Sequence, residues 1–159
     1  MSEALALAAL DVAGAPAQTA NIVKPGDSVL ILGAGGKSGM LCGYEAMKRV
    51  GPAGNVVGMS RNDKYKDTLL DNKLVHKYFA ADAGNPVEVL EKALEANGGK
   101  EYDVAINVVN IRAALGAEGV GKDLTMMIGN GYTKNHDVVT LEIIRESEAL
   151  RKIFEKNYL

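Results

Sequence analysis

Residues 33–39, with the sequence GAGGKSG, constrain the fold of this chain more than any other stretch. They follow the apolar run 28–32 and come directly before a helical pattern over 40–50. A strand, a glycine-rich turn and a helix in this order are typical of a phosphate site. The first N–H groups of the helix are unpaired, and the helix dipole adds roughly half a positive charge at that end. The sequence therefore predicts nucleotide binding more directly than it predicts any chemistry.

Two glycine spacings can be compared in this turn. Gly33, Gly36 and Gly39 satisfy the pattern G-x-x-G-x-x-G, whereas G-x-G-x-x-G fails at its third glycine, where Ser38 stands. In the first pattern, the last glycine allows the helix to pack closely on the first strand. Because a glycine triplet is a weak signal, the alternative is a tight connection that binds no ligand.

The same turn contains the end of a P-loop motif, Gly36 followed by Lys37 and Ser38. A P-loop requires a further glycine five positions before Gly36, and Ile31 stands there inside the apolar run. The later apolar run 103–109 is followed by Asn110, whereas a magnesium site needs a carboxylate at that end. Both observations disfavour a phosphohydrolase.

Composition limits the remaining classes of function. The chain has 159 residues, which is the size of one domain, and a formal net charge of -2, which argues against a general nucleic-acid binder. The single cysteine, Cys42, excludes an intrachain disulfide and a multi-cysteine zinc site and is typical of the cytoplasm. His76 and His136 lack metal-ligand spacing, and the N-terminal apolar run lacks the basic start of a signal peptide and is too short to span a bilayer. We expect no metal site, no nucleic acid and no membrane.

Apolar periodicity predicts alternating strands and helices. Strands are predicted over 28–32, 55–60, 75–81, 103–109 and 124–128, and helices over 3–11, 40–50, 63–70, 86–97 and the C-terminal third. Gly14, Pro16 and the polar run 18–21 are expected to break the first helical pattern. Asn85 before Pro86 is expected to cap one helix, and Ser147 to cap another.

This alternation predicts an α/β fold with a doubly wound parallel sheet, Rossmann-like and shortened. Ligands are expected beyond the carboxyl ends of strands one, two and four. We expect a helical lead-in over residues 1–22 and a dinucleotide-binding domain over residues 23–159.

The end of the second strand indicates which dinucleotide is bound. In NAD-binding folds this strand ends in a carboxylate that binds the ribose 2′-hydroxyl, whereas here it ends in Ser60 and Arg61. A hydroxyl and a guanidinium suit a 2′-phosphate, so the residues favour NADP(H) over NAD(H). Lys64 and Lys66 either reinforce this patch or form a solvated basic turn.

Four further side chains are candidates for the site. Lys37 either neutralises the pyrophosphate or is an exposed loop lysine. Asp82 follows the third strand, where the adenine edge is expected. Asn107 and Asn110, at the end of the fourth strand, either face the nicotinamide carboxamide or a substrate, or satisfy local backbone groups.

With these motifs placed, the run 23–36 resembles the start of the cofactor domain of medium-chain, alcohol-dehydrogenase-like dehydrogenases. More narrowly, residues 14–18, 36–39, 113–122 and 128–134 resemble the L-erythro-3,5-diaminohexanoate dehydrogenases of bacterial lysine fermentation. The resemblance covers most of the chain. It implies reversible oxidative deamination of 3,5-diaminohexanoate to 5-amino-3-oxohexanoate, with hydride passing to a nicotinamide cofactor. This family is associated with NAD, so both cofactors stay open.

Two departures from the family set limits on this resemblance. A separate substrate domain is expected ahead of the turn 24–27, where only residues 1–23 stand, and a helix and a strand are expected between Asn110 and Ala113. No catalytic residue can therefore be carried over. The chain is predicted to be the dehydrogenase or its cofactor domain, and the alternative is a stand-alone dinucleotide-binding module. A missing substrate domain is one expected partner, and self-association through an exposed sheet edge is another.

Overall fold

The computed structural model of the chain describes residues 1–109, 124–129 and 131–159. Its strands form one parallel sheet in the order β3-β2-β1-β4-β5. The strands are β1 (Ser28–Leu32), β2 (Asn55–Ser60), β3 (Lys77–Ala80), β4 (Val104–Asn107) and β5 (Thr125–Ile128). The predicted doubly wound, Rossmann-like α/β fold is therefore confirmed.

Helices cover both faces of the sheet. The helices of the described residues are α1 (Glu3–Leu10), α2 (Gly14–Ile22), α3 (Lys37–Val50), α4 (Lys66–Asp71), α5 (Pro86–Ala96), α6 (His136–Glu146) and α7 (Glu148–Tyr158), with 3₁₀ turns at Gly51–Ala53 and Asp63–Tyr65. None of these helices has the length and apolar content needed to cross a membrane.

The central strands are apolar on both sides because both of their faces are buried. Val29 and Ile31 of β1 pack in the core that contains α1, α3, α6 and α7, whereas Leu30 and Leu32 pack against α5. All four side chains are fully buried. Burial of each such side chain contributes about 1.5–3 kcal/mol, which explains why these runs are continuous rather than alternating.

The prediction about the N-terminal segment is only partly right. The first helix does end, at Leu10, but Gly14, Pro16 and the polar run 18–21 form a second helix, α2. Pro16 is the third residue of this helix, where its missing N–H costs no intrahelical bond. The hydroxyl of Thr19 donates to the carbonyl of Ala15 at 2.9 Å, so this polar side chain is satisfied while fully buried.

Other predicted boundaries differ by a few residues. Helix α3 starts at Lys37 rather than at residue 40, and the segment 63–70 begins as a 3₁₀ turn. Strand β3 is shorter than predicted at both ends, and just before it the ring Nδ1 of His76 accepts the N–H of Val56 at 2.9 Å. The two predicted caps are confirmed, since Asn85 Oδ1 accepts from Glu88 N at 3.3 Å and Ser147 Oγ accepts from Leu150 N at 3.2 Å.

The strand order places a topological switch point between β1 and β4. Successive connections run outward from β1 towards β3, and the chain then returns to the other side of β1. In open parallel sheets, ligands bind in the crevice beyond the carboxyl ends of the strands at such a point. The glycine turn leaves β1 at this crevice.

Candidate functional site

A cavity of about 910 Å³ opens at the carboxyl ends of the strands. It is bounded by the segments that follow β1, β2, β3 and β4, so four separate connections contribute to it. The lining residues are Gly33, Gly35, Gly36, Met59, Ser60, Arg61, Tyr65, Ala81, Asp82, Ala83, Gly84, Val108 and Val109. Its volume lies in the range typical of small-molecule sites, about 300–1,000 Å³.

The glycine turn is tied to the end of β2 by backbone hydrogen bonds. The N–H groups of Gly33 and Ala34 both donate to the carbonyl of Met59 at 2.9 Å. The N–H of Gly35 donates to Ser60 Oγ at 2.9 Å, and that of Gly36 donates to the Gly33 carbonyl at 3.2 Å. The turn amides are therefore bonded within the protein, and the N-terminal turn of α3 is left as the anion-facing group.

Two positions of this turn require glycine, one because of its backbone conformation and the other because of the space around it. Gly33 has a positive φ of 92°, which side-chain-bearing residues rarely adopt. A Cβ on Gly39 would lie 2.1 Å from the Gly33 carbonyl oxygen and 2.6 Å from Ala34 Cα. Helix α3 can therefore approach the turn this closely only with glycine at position 39, as the motif predicts.

The start of α3 lies open beside this turn. Its N-cap residue is Gly36, which is exposed and supplies no side-chain acceptor for the first N–H groups. A Cβ on Gly36 would meet only the Gly33 carbonyl oxygen, at 3.6 Å, so the backbone there can be approached. The N-terminal N–H groups of a helix and the positive end of its dipole favour an anion at such a position.

Ser60 and Arg61 lie at the end of β2, as predicted, and both line the cavity. Arg61 is exposed, so its guanidinium can be reached from solvent. Ser60 is half-buried, and its Oγ accepts the Gly35 N–H. Next to it on β3, the Tyr78 hydroxyl donates to the Asn62 carbonyl, and burial raises the pKa of Tyr78. Ser60 thus holds the turn in place, whereas Arg61 is the group that can meet a ligand.

Lys37 is turned away from the cavity. Its Nζ lies 2.8 Å from Asp11 Oδ2 and 5.3 Å from the centroid of the Tyr158 ring. The ion pair lowers the pKa of Asp11, first through the hydrogen bond and then through the charge of Lys37. Ser38 lies beside Lys37 in the first turn of α3 and is not among the lining residues.

Asp82 and Asn107 differ in their exposure to solvent. Asp82 is exposed on the cavity wall, where its Oδ1 accepts the N–H of Gly84 at 2.9 Å. Asn107 is fully buried, and its Oδ1 accepts the N–H of Val109 at 3.0 Å. Its Nδ2 finds no hydrogen-bond acceptor in the part of the chain that the structure describes. Asn110 lies outside the described residues, as does the predicted shortening between positions 110 and 113.

Sequence reasoning missed Tyr65, whose ring lies against Gly35. The residue ends the 3₁₀ turn Asp63–Tyr65, which Asn62 caps through a bond from Lys64 N to its Oδ1 at 3.1 Å. Asn62 is a recognisable cap in the sequence, but the contact of Tyr65 with Gly35 depends on the pairing of β2 with β1. Lys64 Nζ lies 5.0 Å from the Tyr65 ring centroid, and Lys66 lines a second cavity of about 710 Å³ near β3.

The remaining reactive side chains lie apart from the cavity. Burial raises the pKa of the Cys42 thiol to about 12, so the thiolate needed for nucleophilic chemistry is strongly disfavoured. His76 lines the second cavity, and His136 lies at the start of α6. Among the residues that the structure describes, no three His, Cys, Asp or Glu side chains are grouped as a metal site.

Two relatives match this chain over its whole length. It is 58% identical to L-erythro-3,5-diaminohexanoate dehydrogenase of Acetoanaerobium sticklandii and 54% identical to the protein of the same name from Fusobacterium nucleatum. The chain spans about half the length of these relatives, 54% of each. Each alignment runs over 186 positions against the 159 residues here, so the relatives contain residues without a counterpart within this chain. No family model matches.

Solved structures with the same fold include alcohol dehydrogenases. One from Thermotoga maritima has a TM-score of 0.71 at 18% identity, covering 97% of this chain and 51% of its own. A zinc-dependent alcohol dehydrogenase from Streptococcus pneumonia has a TM-score of 0.57 at 16% identity, covering 98% and 47%. At these identities the likeness establishes the fold alone. The chain is therefore similar, over its whole length, to about half of L-erythro-3,5-diaminohexanoate dehydrogenase, and it has the same fold as these alcohol dehydrogenase structures.

Proposed function

We propose that this chain binds a nicotinamide dinucleotide and acts as the cofactor domain, over residues 23–159, of a diamino-acid dehydrogenase. One observation carries the proposal. The cavity lies at the switch point of the sheet, beside a glycine turn and an α3 N-terminus that no side chain caps. The names of the relatives supply the substrate, L-erythro-3,5-diaminohexanoate. The single buried thiol, Cys42, is compatible with the cytoplasm as the proposed compartment.

The residues present fit such a cofactor. Gly33 and Gly39 allow the turn and α3 to pack closely, and Gly36 leaves the backbone open to a pyrophosphate, which the first turn of α3 would hold together with Ser38. Asp82 would face the adenine. Asn107, at the end of β4, has a buried donor without an acceptor among the described residues and would serve the nicotinamide end. Lys37 would reach the pyrophosphate only after leaving Asp11, so its contribution is the smallest of these.

The end of β2 supports NADP(H) as the preferred cofactor. Ser60 and Arg61 stand where a carboxylate would bind the 2′-hydroxyl of NAD(H). Arg61 can pair with a 2′-phosphate in bidentate geometry, while Ser60 fixes the turn against which the ribose lies. NAD(H) is the second candidate, since nothing at this position clashes with a free 2′-hydroxyl.

When bound, a nicotinamide dinucleotide would supply the hydride acceptor for this reaction. The substrate carbon that carries the amino group would lose hydride and the nitrogen a proton, and water would hydrolyse the resulting imine to a ketone and ammonia. The chain's own residues bind and orient the dinucleotide. A catalytic acid or base must lie within hydrogen-bond reach of the substrate. The titratable residues that line the described cavity are Arg61, Tyr65 and Asp82, and these lie at the part proposed for the adenosine. We therefore assign no acid or base to this chain.

Affinities of the wild type, Arg61→Ala and Lys66→Ala for NADPH and NADH test the cofactor. We expect Arg61→Ala to weaken NADPH binding about tenfold, which corresponds to 1.4 kcal/mol, and to change NADH binding less than about twofold. Lys66→Ala is the matched control, since it removes a nearby cation that lines the other cavity. An NADPH affinity within about twofold of the wild type in Arg61→Ala would contradict the 2′-phosphate contact. Absence of saturable binding to the wild type would contradict the proposed function itself.

A stand-alone binding module is the second candidate, because the chain spans only 54% of its relatives. Incubation with NADP⁺ or NAD⁺ and the diamino acid separates the two. Growth of reduced-cofactor absorbance indicates turnover by this chain, whereas saturable binding without reduction supports the module.

A further inference from the structure

The ring of Tyr65 lies directly on the backbone of Gly35. A Cβ built on Gly35 would stand 2.5 Å from Tyr65 Cδ2 and 2.9 Å from its Cγ, closer than real Cβ contacts occur. The same Cβ would be 3.0 Å from Ser60 Oγ, so the ring and the serine share one side of the glycine turn. Glycine at position 35 is therefore what allows an aromatic ring to occupy this side.

Neighbouring groups hold the ring at several points. The Lys64 ammonium lies 5.0 Å from the ring centroid, within the distance of a cation–π contact. At the other side, Tyr65 packs with the partly buried residues around the core, which include Tyr158. Burial, and then the charge of Tyr65, raises the pKa of Tyr158. Tyr65 is thus a fixed part of the cavity wall.

The Tyr65 ring lies where the adenosine of a dinucleotide is expected. In a doubly wound sheet, the ribose of the adenosine lies at the end of the second strand. Tyr65 lines the cavity beside Ser60 and Arg61, which end that strand, and across from residues that follow β3. Resting on the proposed dinucleotide function, we infer that Tyr65 is the cavity wall against which the adenosine moiety packs. An aromatic ring suits this role because it offers a large, rigid, apolar surface.

Ligands that contain or lack adenosine separate this role from a general effect on the fold. We expect Tyr65→Ala to weaken binding of 5′-AMP and NADPH about tenfold and to leave binding of inorganic pyrophosphate within about twofold. Tyr65→Phe keeps the ring and should bind all three ligands like the wild type. Should Tyr65→Ala fail to fold, Tyr65→Leu, which keeps apolar volume without the ring, takes its place under the same criteria.

A second set of variants tests the contact with Gly35. The methyl group of Gly35→Ala should force the ring off the turn and weaken 5′-AMP binding, but should cost much less in a protein that already carries Tyr65→Ala. Additive effects of the two substitutions would contradict the contact, as would 5′-AMP affinity unchanged by Tyr65→Ala in a protein that binds NADPH. A wild type that binds neither NADPH nor 5′-AMP would instead overturn the proposed function. Calorimetric titration of each variant, with thermal melting to confirm folding, provides the measurements.

Discussion

The two ends of the parallel sheet differ in the donors that they leave without an acceptor. At the amino end, the Ser28 N–H and hydroxyl both bond Asp103 Oδ2, at 2.8 and 2.9 Å, and the His76 ring accepts the Val56 N–H. At the carboxyl end, side chains likewise accept backbone N–H groups, but α3 begins without a side-chain cap, and Asn107 Nδ2 has no acceptor among the described residues. The cavity lies at this second end, as expected for a ligand that supplies a missing acceptor.

The largest effect is expected at the glycine turn itself. Gly39→Ala should destabilise the fold by about 3 kcal/mol or more, because its methyl group would meet the backbone of Gly33 and Ala34, which cannot move aside as a side chain can. Urea unfolding followed by circular dichroism measures this free energy.

Gly36→Ala is the matched control for that substitution. Gly36 has a φ of -84° and open space around its Cβ position, so its substitution should change the free energy of unfolding by no more than about 1 kcal/mol. If both substitutions lowered the free energy of unfolding equally, close backbone packing would not be the reason for glycine at position 39.

An intermediate effect is expected at Asn107, which tests whether the unused donor serves a ligand. Asn107→Ala should weaken NADPH binding by up to about tenfold, since one hydrogen bond is worth about 0.5–1.5 kcal/mol, and should leave 5′-AMP binding unchanged. Titration of both ligands measures the difference.

Asn55→Ala supplies the control from the amino end of the sheet. Asn55 Nδ2 bonds Asn97 Oδ1 at 2.8 Å, so its loss should affect stability without affecting either ligand. Equal weakening of NADPH and 5′-AMP by Asn107→Ala would place the role of Asn107 in the fold, and the comparison between the two ends would lose its functional meaning.

Local sequence pattern predicts this fold well, because strands and turns depend on neighbouring residues. The apolar run 28–32 and the glycines that follow it suffice for β1 and its turn. The contacts that shape the site depend on distant residues instead. The pairing of Lys37 with Asp11 needs α1 and α3 already packed, and the contact of Tyr65 with Gly35 needs β2 already beside β1. Neither distance can be deduced from spacing along the chain.

The error at α2 has the same physical origin. Gly14 and Pro16 have poor intrinsic helix propensity, so a local pattern predicts a break. Tertiary packing overrides this, because Ala15, Ala17 and Ala20 are buried in the segment, and the Ala13 carbonyl accepts the Thr140 hydroxyl of α6 at 3.2 Å. Burial against other helices supplies free energy that the propensity of the segment alone does not provide.

The smallest effect is expected at His76, where the amino end of the sheet depends on pH. The exposed ring accepts the Val56 N–H only when Nδ1 is unprotonated, and burial followed by the charge of Lys77 lowers the pKa of His76 below 6.5. Since the unfolded chain binds the proton more readily, this contribution to stability is fully present above pH 6.5 and is lost as the pH falls through 6.5 toward the folded pKa. Urea midpoints at pH 7.5 and 5.5 should therefore differ more in the wild type than in His76→Gln, while His136→Gln should keep the wild-type difference.

If His76→Gln retains the full difference, the hydrogen bond from Val56 to the His76 ring does not stabilise the amino end of the sheet. The contrast between a sheet end satisfied by side chains and one left for a ligand would then depend on Asp103 and Ser28 alone.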